Sequence, residues 1–262
     1  MLLDPRNGPR WDLHTTELNR RSYVVASTPR TGSTLLCRTL WGTGLVGAPK
    51  EYLNPMQLRD WEVRLGSPWS SLRHRALGGM SLGLVTRGRW DHQRIAQHLD
   101  RVKQRRTASS GWFGMKLHAH HHRQWFAARP IEEFLGPVRW IRIRREDRLA
   151  QAISWERAMQ SGQWASHQAS SAVQPSYERG AITARLAAIE RDEAWWDTVL
   201  RHEPVLELTY ERLARQRTRV TREVLDWLGV EGAHSVGLGP AGMQSQSDAT
   251  SRQWRRDYQR GE

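Results

Sequence analysis

A single cysteine, Cys37, stands among 262 residues, which excludes a disulfide framework and a cysteine-rich zinc module. No stretch holds the roughly 18 uninterrupted apolar residues of a membrane-spanning helix, and mean hydropathy is -0.71, so stable membrane insertion is not expected. Met1 to Arg20 is charged and has no apolar core, so no secretory leader is expected and the implied location is cytoplasmic. Lysine is also scarce: Lys50, Lys103 and Lys116 are the only three, against 37 arginines. That imbalance reads more simply as the habit of a GC-rich genome than as a selected polyanion-binding surface. It does make the position of each lysine informative.

What is abundant is positive charge. Forty basic residues against 27 acidic ones give +13, a balance suited to nucleic acid, acidic membrane or anionic small-molecule partners. No RNA- or DNA-binding module accompanies the charge, so no nucleic-acid partner is expected. The length fits one large or two small domains, and the reading is a single domain over 1–262 with an N-terminal extension at 1–20.

Four short runs rich in β-branched and aromatic residues read as strands: 21–27, 112–117, 138–143 and 205–209. Helical patterns separate them, over 32–44, 91–106, 147–164 and 177–202, while 49–55 is bracketed by prolines and reads as a loop. Strands alternating with helices predict an α/β domain with a mainly parallel sheet flanked by helices. The tail from Gly237 to Glu262 has little helical period and, by position alone, reads as a frayed terminus.

Between the first strand and helix lies Ser27-Thr28-Pro29-Arg30-Thr31-Gly32-Ser33-Thr34. Backbone N–H groups and the helix dipole make such a junction an anion site. Gly32 lets the backbone close on a ligand, the hydroxyls of Thr31, Ser33 and Thr34 are donors, and Arg30 adds a fixed charge with a planar donor fork. Helix capping by Ser or Thr is the bland alternative. A Walker A loop is excluded, because the earlier glycine and the lysine are missing.

From Tyr23 to Leu36 (YVVASTPRTGSTLL), with Thr43-Gly44 and Pro49-Lys50-Glu51-Tyr52, the chain resembles the bacterial sulfotransferases related to trehalose 2-sulfotransferase. These use 3′-phosphoadenosine 5′-phosphosulfate (PAPS), leave PAP as product, and are similar to P-loop kinases in fold, a three-layer sandwich, with no metal at the donor loop. The resemblance implies that Arg30, Thr31, Gly32, Ser33 and Thr34 hold the 5′-phosphosulfate. A second similarity, Arg145 to Trp155 (REDRLAQAISW), implies a 3′-phosphate site at Arg145 and Ser154. A third, Gln246-Ser247-Asp248 with Arg252, Trp254 and Tyr258, implies that the C-terminal segment covers the nucleotide, with Arg252 reaching a phosphate and Trp254 covering the adenine or packing on the domain. A homodimer is also what the resemblance suggests.

Transfer to an alcohol needs a base on the acceptor hydroxyl and positive charge where the leaving oxygens gain negative charge. Glu51 is the first candidate base, by its match to the family's glutamate, and His118 the second. Lys116 and His118 alternate on one strand face and so point toward one pocket, where Lys116 and Arg30 would steady the departing oxygens. The tract His118, His120, His121, His122 reads as a polar turn into the next helix rather than a metal site, since no cysteine or suitably spaced carboxylate accompanies it. Pro29 and Ala48 replace polar residues of the trehalose-sulfating relatives, which argues against trehalose and leaves a carbohydrate or natural-product hydroxyl as acceptor. The rival readings are an ATP-dependent kinase, which lacks its lysine and a strand-terminal metal ligand, and a basic nucleic-acid-binding protein.

Overall fold

Six of the seven residues of β1 (Arg21–Ser27) are buried, as befits a strand covered on both faces. It pairs in parallel with β2 (Trp112–His118) on one side and β3 (Val138–Arg144) on the other, and β4 (Val205–Thr209) continues the sheet, giving the order β2-β1-β3-β4. The computed structural model describes residues 2–13, 21–65, 92–162, 174–235, 237–238 and 249–261. The helices within them are α1 (Ser33–Gly42), α2 (Pro55–Leu65), α3 (His92–Arg106), α4 (Ala119–Phe126), α5 (Glu132–Leu135), α6 (Arg148–Ser161), α7 (Arg179–Val199), α8 (Tyr210–Arg215), α9 (Arg217–Trp227) and α10 (Ala249–Arg260).

Alternation along the strands sends successive side chains to opposite faces. Val24, Ala26, Met115 and Leu117 pack with Leu99 and Val102 of α3, Phe126 of α4 and Trp196 of α7. On the other face Tyr23, Val25, Ile141 and Ile143 pack with Leu36 and Leu40 of α1 and with Val220 and Val224 of α9. The result is helices on both faces of a parallel sheet, the α/β arrangement that the alternating pattern predicts. The register places Ser27 opposite both His118 and Ile143, so β1, β2 and β3 end level. Open parallel sheets bind their ligands at that carboxyl edge.

Position alone suggests a frayed tail, but residues 249–260 form a helix, α10, whose buried Trp254 joins Ala152, Ile153, Ile182 and Ile189 in a third apolar cluster, with Tyr258 packed against it. The histidine tract does lead into the next helix, with His118 as the N-cap of α4, but it is not a polar turn: His121 and His122 are buried within that helix.

The N-terminal segment is built into the fold. Asp60 of α2, fully buried, accepts from Leu3 N at 2.8 Å, Asp4 N at 2.7 Å and Asn7 Nδ2 at 2.9 Å. Arg106, also fully buried, donates to the carbonyls of Arg6 at 2.9 Å and Trp11 at 2.5 Å. Buried charges persist only with such partners. No helix among the described residues is long and apolar enough to cross a membrane.

Candidate active site

At the carboxyl edge of β1 and β2 opens a cavity of about 1170 Å³. That exceeds the roughly 300–1,000 Å³ of a site for one small ligand, which leaves room for two reactants. Its floor is the turn from β1 to α1. Arg30 has φ 67°, the one non-glycine residue with positive φ among those described, and Gly32 has φ 75°. Left-handed residues in a strand-to-helix turn build anion-binding backbone concavities, and strain of this kind gathers at functional sites. Gly32 is itself the N-cap of α1, which carries no side-chain cap, so neither Ser33 nor Thr34 is spent on capping. A Cβ at Gly32 would collide with the ring of Tyr210, so glycine is required there for space as well as for φ.

Within this turn the sequence candidates divide. Arg30, Gly32, Ser33 and Thr34 line the cavity. The hydroxyl of Thr31 does not: it is buried and donates to the carbonyl of Thr28 at 3.0 Å, closing the loop from within. Gln151 of α6, which sequence reasoning passed over, fixes the loop from behind by donating to Thr28 Oγ1 and to the Pro29 carbonyl, each at 2.7 Å.

Arg30 Nε donates to Ser154 Oγ at 2.9 Å. Arg145 comes to the same place from the end of β3, with Nη1 3.5 Å from the Arg30 carbonyl oxygen and its guanidinium 4.8 Å from the centre of the Tyr210 ring. Burial, and after it the like charge of Arg145, bring the Arg30 guanidinium down to about 10. The Nε of Arg145 is buried with no partner, a donor left over in a cluster of cations. Such a cluster is stabilised by an anion.

Across the cavity, Glu51 sits in the loop before α2. One carboxylate oxygen, Oε1, meets Lys116 Nζ and lies 3.3 Å from His118 Nε2, while Oε2 accepts from Asn54 Nδ2 at 3.0 Å. Lys116 Nζ also donates to Thr34 Oγ1 at 3.1 Å, tying the phosphate-type loop to the candidate base. Burial, the largest single influence, would raise the Glu51 carboxyl, but Lys116, His118 and His121 together hold it well below the usual carboxylate range. On the far side of the imidazole, Ser27 Oγ is 3.1 Å from His118 Nδ1. A hydroxyl donating there leaves the Nε2 proton for Glu51.

The C-terminal helix brings Ser251, Arg252 and Arg255 to the cavity and docks through Arg255 on Asp147 and Arg157 on Ser251. Trp254 faces away from the cavity and packs edge-on against Tyr177 at 6.0 Å, so the structure assigns it to packing rather than to covering a base. Gln246, Ser247 and Asp248 lie outside the described residues. Pro29 lines the cavity. Ala48 is fully buried between the Tyr52 hydroxyl and the Arg106 carbonyl instead, so of the two departures from trehalose-sulfating relatives only Pro29 borders the ligand space. Among the described residues, no cluster of three or more His, Cys, Asp or Glu is placed to hold a metal ion.

With this geometry in view, comparisons with known proteins are specific. The chain is 25% identical over 266 residues to a trehalose 2-sulfotransferase of Mycobacterium tuberculosis (strain ATCC 35801 / TMC 107 / Erdman), covering 89% of this chain and 92% of the relative. It is 27% identical over 272 residues to a trehalose 2-sulfotransferase of Mycolicibacterium smegmatis (strain ATCC 700084 / mc(2)155), covering 91% and 96%. A crystal structure of a sulfotransferase from Alicyclobacillus acidocaldarius is similar with a TM-score of 0.49 at 11% identity, over 92% of each chain. The Stf0 sulphotransferase family model matches residues 22–261, from the first strand through the C-terminal helix. The chain therefore belongs to the Stf0 sulphotransferase family and is an enzyme of sulfuryl transfer.

Proposed function

We propose that the protein transfers a sulfuryl group from PAPS to a hydroxyl of a small-molecule acceptor, with Glu51 as the base that receives the hydroxyl proton. The observation that carries this reading is the juxtaposition in one cavity of the Arg30–Ser154–Arg145 cluster and the Glu51–Lys116–His118 cluster, joined through Thr34. The first is a place for phosphates and the second a place for chemistry.

The residues present fit the donor. The loop Arg30, Gly32, Ser33 and Thr34 offers backbone and hydroxyl donors at a helix start, and the orphaned Arg145 Nε is a buried donor awaiting an acceptor. In this reading the loop holds the 5′-phosphosulfate, Arg145 and Ser154 hold the 3′-phosphate, and Arg252 and Arg255 close the site from the C-terminal helix. When bound, PAPS supplies an activated sulfuryl group and a phosphate leaving group.

The chain's own residues supply position and charge. Lys116, shared by Thr34 and Glu51, stands where negative charge builds on the transferring and departing oxygens, and Arg30 adds a second fixed charge there. Glu51 is ionised throughout the neutral range because its pKa is depressed, so it is always ready to accept a proton. A weak carboxylate base suffices, since an alcohol becomes strongly acidic as its oxygen bonds to sulfur. His118, held by Ser27, fixes the carboxylate from its Nε2, 3.3 Å from Oε1. The two mycobacterial relatives are named for trehalose, and the acceptor class proposed is a carbohydrate or natural-product alcohol.

The test is transfer itself. PAPS is incubated in EDTA with a panel of alcohols including trehalose, and PAP release and sulfated product are measured together. Product formed without metal and lost in Glu51→Gln supports the reading. Phosphoryl transfer from ATP that requires Mg²⁺ would replace it with the kinase alternative.

A further inference from the structure

The cavity changes character along α1. Thr34, Cys37 and Trp41 all line it, and their spacing sets them on one face of the helix. From Thr34, which bonds to Lys116, to Trp41 that face runs about 10 Å at about 1.5 Å per residue. At the Thr34 end stand Glu51 and the imidazoles, with the rings of His120 and His121 centred 5.6 and 5.9 Å from that of His118. Toward Trp41 the N-terminal segment joins the lining through Leu3 and Pro5, and Arg38 of α1 lies close enough to Asp4 and Arg6 to feel their charge.

This wall is both exposed and held. Leu3 shows 53% of its surface and Trp11 41%, two of the three large apolar side chains exposed among the described residues. Single exposed apolar side chains are ordinary, but these two meet at one cavity: Leu3 lines it, and Trp11 packs edge-on against its Trp41, ring centres 5.4 Å apart. The fully buried Asp60 accepts from Leu3 N at 2.8 Å, and the guanidinium of the buried Arg106 lies 5.6 Å from the centre of the Trp41 ring. An apolar surface held open by buried polar groups has the character of a ligand site. The polar groups around it have their partners. Arg6 forks onto Asp4, with Nε and Nη2 each 3.0 Å from a carboxylate oxygen, and Lys50 Nζ lies 3.0 Å from the same carboxylate and 2.6 Å from Asn7 Oδ1. Arg38 is engaged as well. A polyol along this wall has to break such bonds to make its own, whereas a hydrocarbon has only to cover Leu3, Pro5 and Trp41.

We infer that the N-terminal segment and α1 form an apolar acceptor subsite, and that the alcohol taken is one whose reacting hydroxyl ends a hydrocarbon body lying along α1 from Glu51 toward Trp41. The inference rests on the sulfuryl-transfer reading and adds the acceptor's class to it, an amphipathic alcohol rather than a free sugar. Leu3 and Trp41 are the residues that select, one from each side of the subsite.

The test has two titrations of the full chain. PAP is titrated first, into the wild type and into Leu3→Ser, Leu3→Met, Trp41→Ala and Trp41→Phe. Each PAP-saturated protein is then titrated with 1-butanol, 1-hexanol, 1-octanol and trehalose. The expected result is an unchanged Kd for PAP in all variants, a wild-type Kd that falls about three- to four-fold with each added methylene, and trehalose bound at least about ten-fold more weakly than 1-octanol. Affinity for 1-octanol drops about five-fold or more in Leu3→Ser and Trp41→Ala and is largely kept in Leu3→Met and Trp41→Phe. If Trp41→Ala loses PAP binding along with its fold, Leu3→Ser, altered at an exposed side chain, decides alone. A Kd that stays flat along the series, trehalose bound as tightly as 1-octanol, or a chain-length trend that survives the Ser and Ala variants overturns the inference; in the last case the hydrocarbon binds elsewhere. Failure of the wild type to bind PAP marks a different failure, that of the donor reading, and the same alcohol series titrated into the free protein then decides the apolar subsite by itself.

Discussion

Arg30 donates to Ser154 across 2.9 Å, joining two motifs that lie 124 positions apart and that the resemblance assigns to opposite phosphates of one nucleotide. The hydrogen bond makes them a single cationic floor, with Arg145 as its third member. Their effects on donor binding are therefore expected to be coupled.

Arg30→Ala and Ser154→Ala each remove a charge-assisted contact worth about 1.5–3 kcal/mol, so each weakens PAP binding about 10- to 150-fold. Residues in one network do not add, and the double variant falls short of the product of the two by a measurable interaction energy. Calorimetric titration with PAP reads all three.

Glu51→Gln leaves the shape of the carboxyl but removes its basicity. The expected loss in kcat is about 10²- to 10⁴-fold, the usual contribution of a positioned base, with Kd for PAP unchanged. His118→Ala is expected to cost less, because Lys116 and Asn54 still hold the carboxylate. Steady-state rates of both variants decide the order, and a larger loss in His118→Ala transfers the role of base to the imidazole.

Gly32→Ala meets two obstacles together, a left-handed φ of 75° and the ring of Tyr210. The backbone penalty alone is about 1–2 kcal/mol for an L residue in that region. Urea unfolding is expected to show at least that loss, together with weakened PAP binding, because the ring and the turn must move apart. Tyr210→Ala in the same background relieves the collision but not the backbone penalty, so only part of the stability returns.

Acid is expected to destabilise the fold before it titrates the carboxylates. Burial brings His98 and His122 down to about 4 and His121 well below its ordinary value. His122 Nδ1 accepts from Trp195 Nε1 at 3.3 Å, a bond a proton on that nitrogen abolishes. The unfolded chain binds protons on these groups below its ordinary pKa of about 6.5 while the folded one refuses them, so stability is full above pH 6.5 and falls as pH drops toward 4, by up to about 1.4 kcal/mol per pH unit for each histidine. Unfolding midpoints across that range check the slope, and His98→Gln is expected to flatten it.

Much of the frame was legible in the sequence because it depends on local pattern. β1 and β4 have the bounds that their β-branched runs predict, and α3 is displaced by one residue at its start. The turn at Arg30 was visible as a strand-to-helix junction because strand, small residues and helix follow one another directly. Long-range placement was not visible. Nothing local in residues 2–13 signals that Asp60 and Arg106 bind them to the fold, and nothing about Thr31 shows that its hydroxyl turns back on Thr28 while Thr34 bonds to Lys116. Trp254 was legible as an aromatic in a polar tail, but which way it faces depends on α6 and α7, more than fifty positions away.

The central claim is that the Arg30–Ser154–Arg145 floor holds the donor's phosphates without metal. The direct measurement is calorimetric titration of the full chain with PAP in EDTA at moderate salt, beside ATP with Mg²⁺. Saturable one-site PAP binding in the absence of metal, weakened at least ten-fold in Arg145→Ala and far tighter than that of ATP with Mg²⁺, is the result expected. Absence of PAP binding, or a preference for ATP that depends on Mg²⁺, would contradict the account.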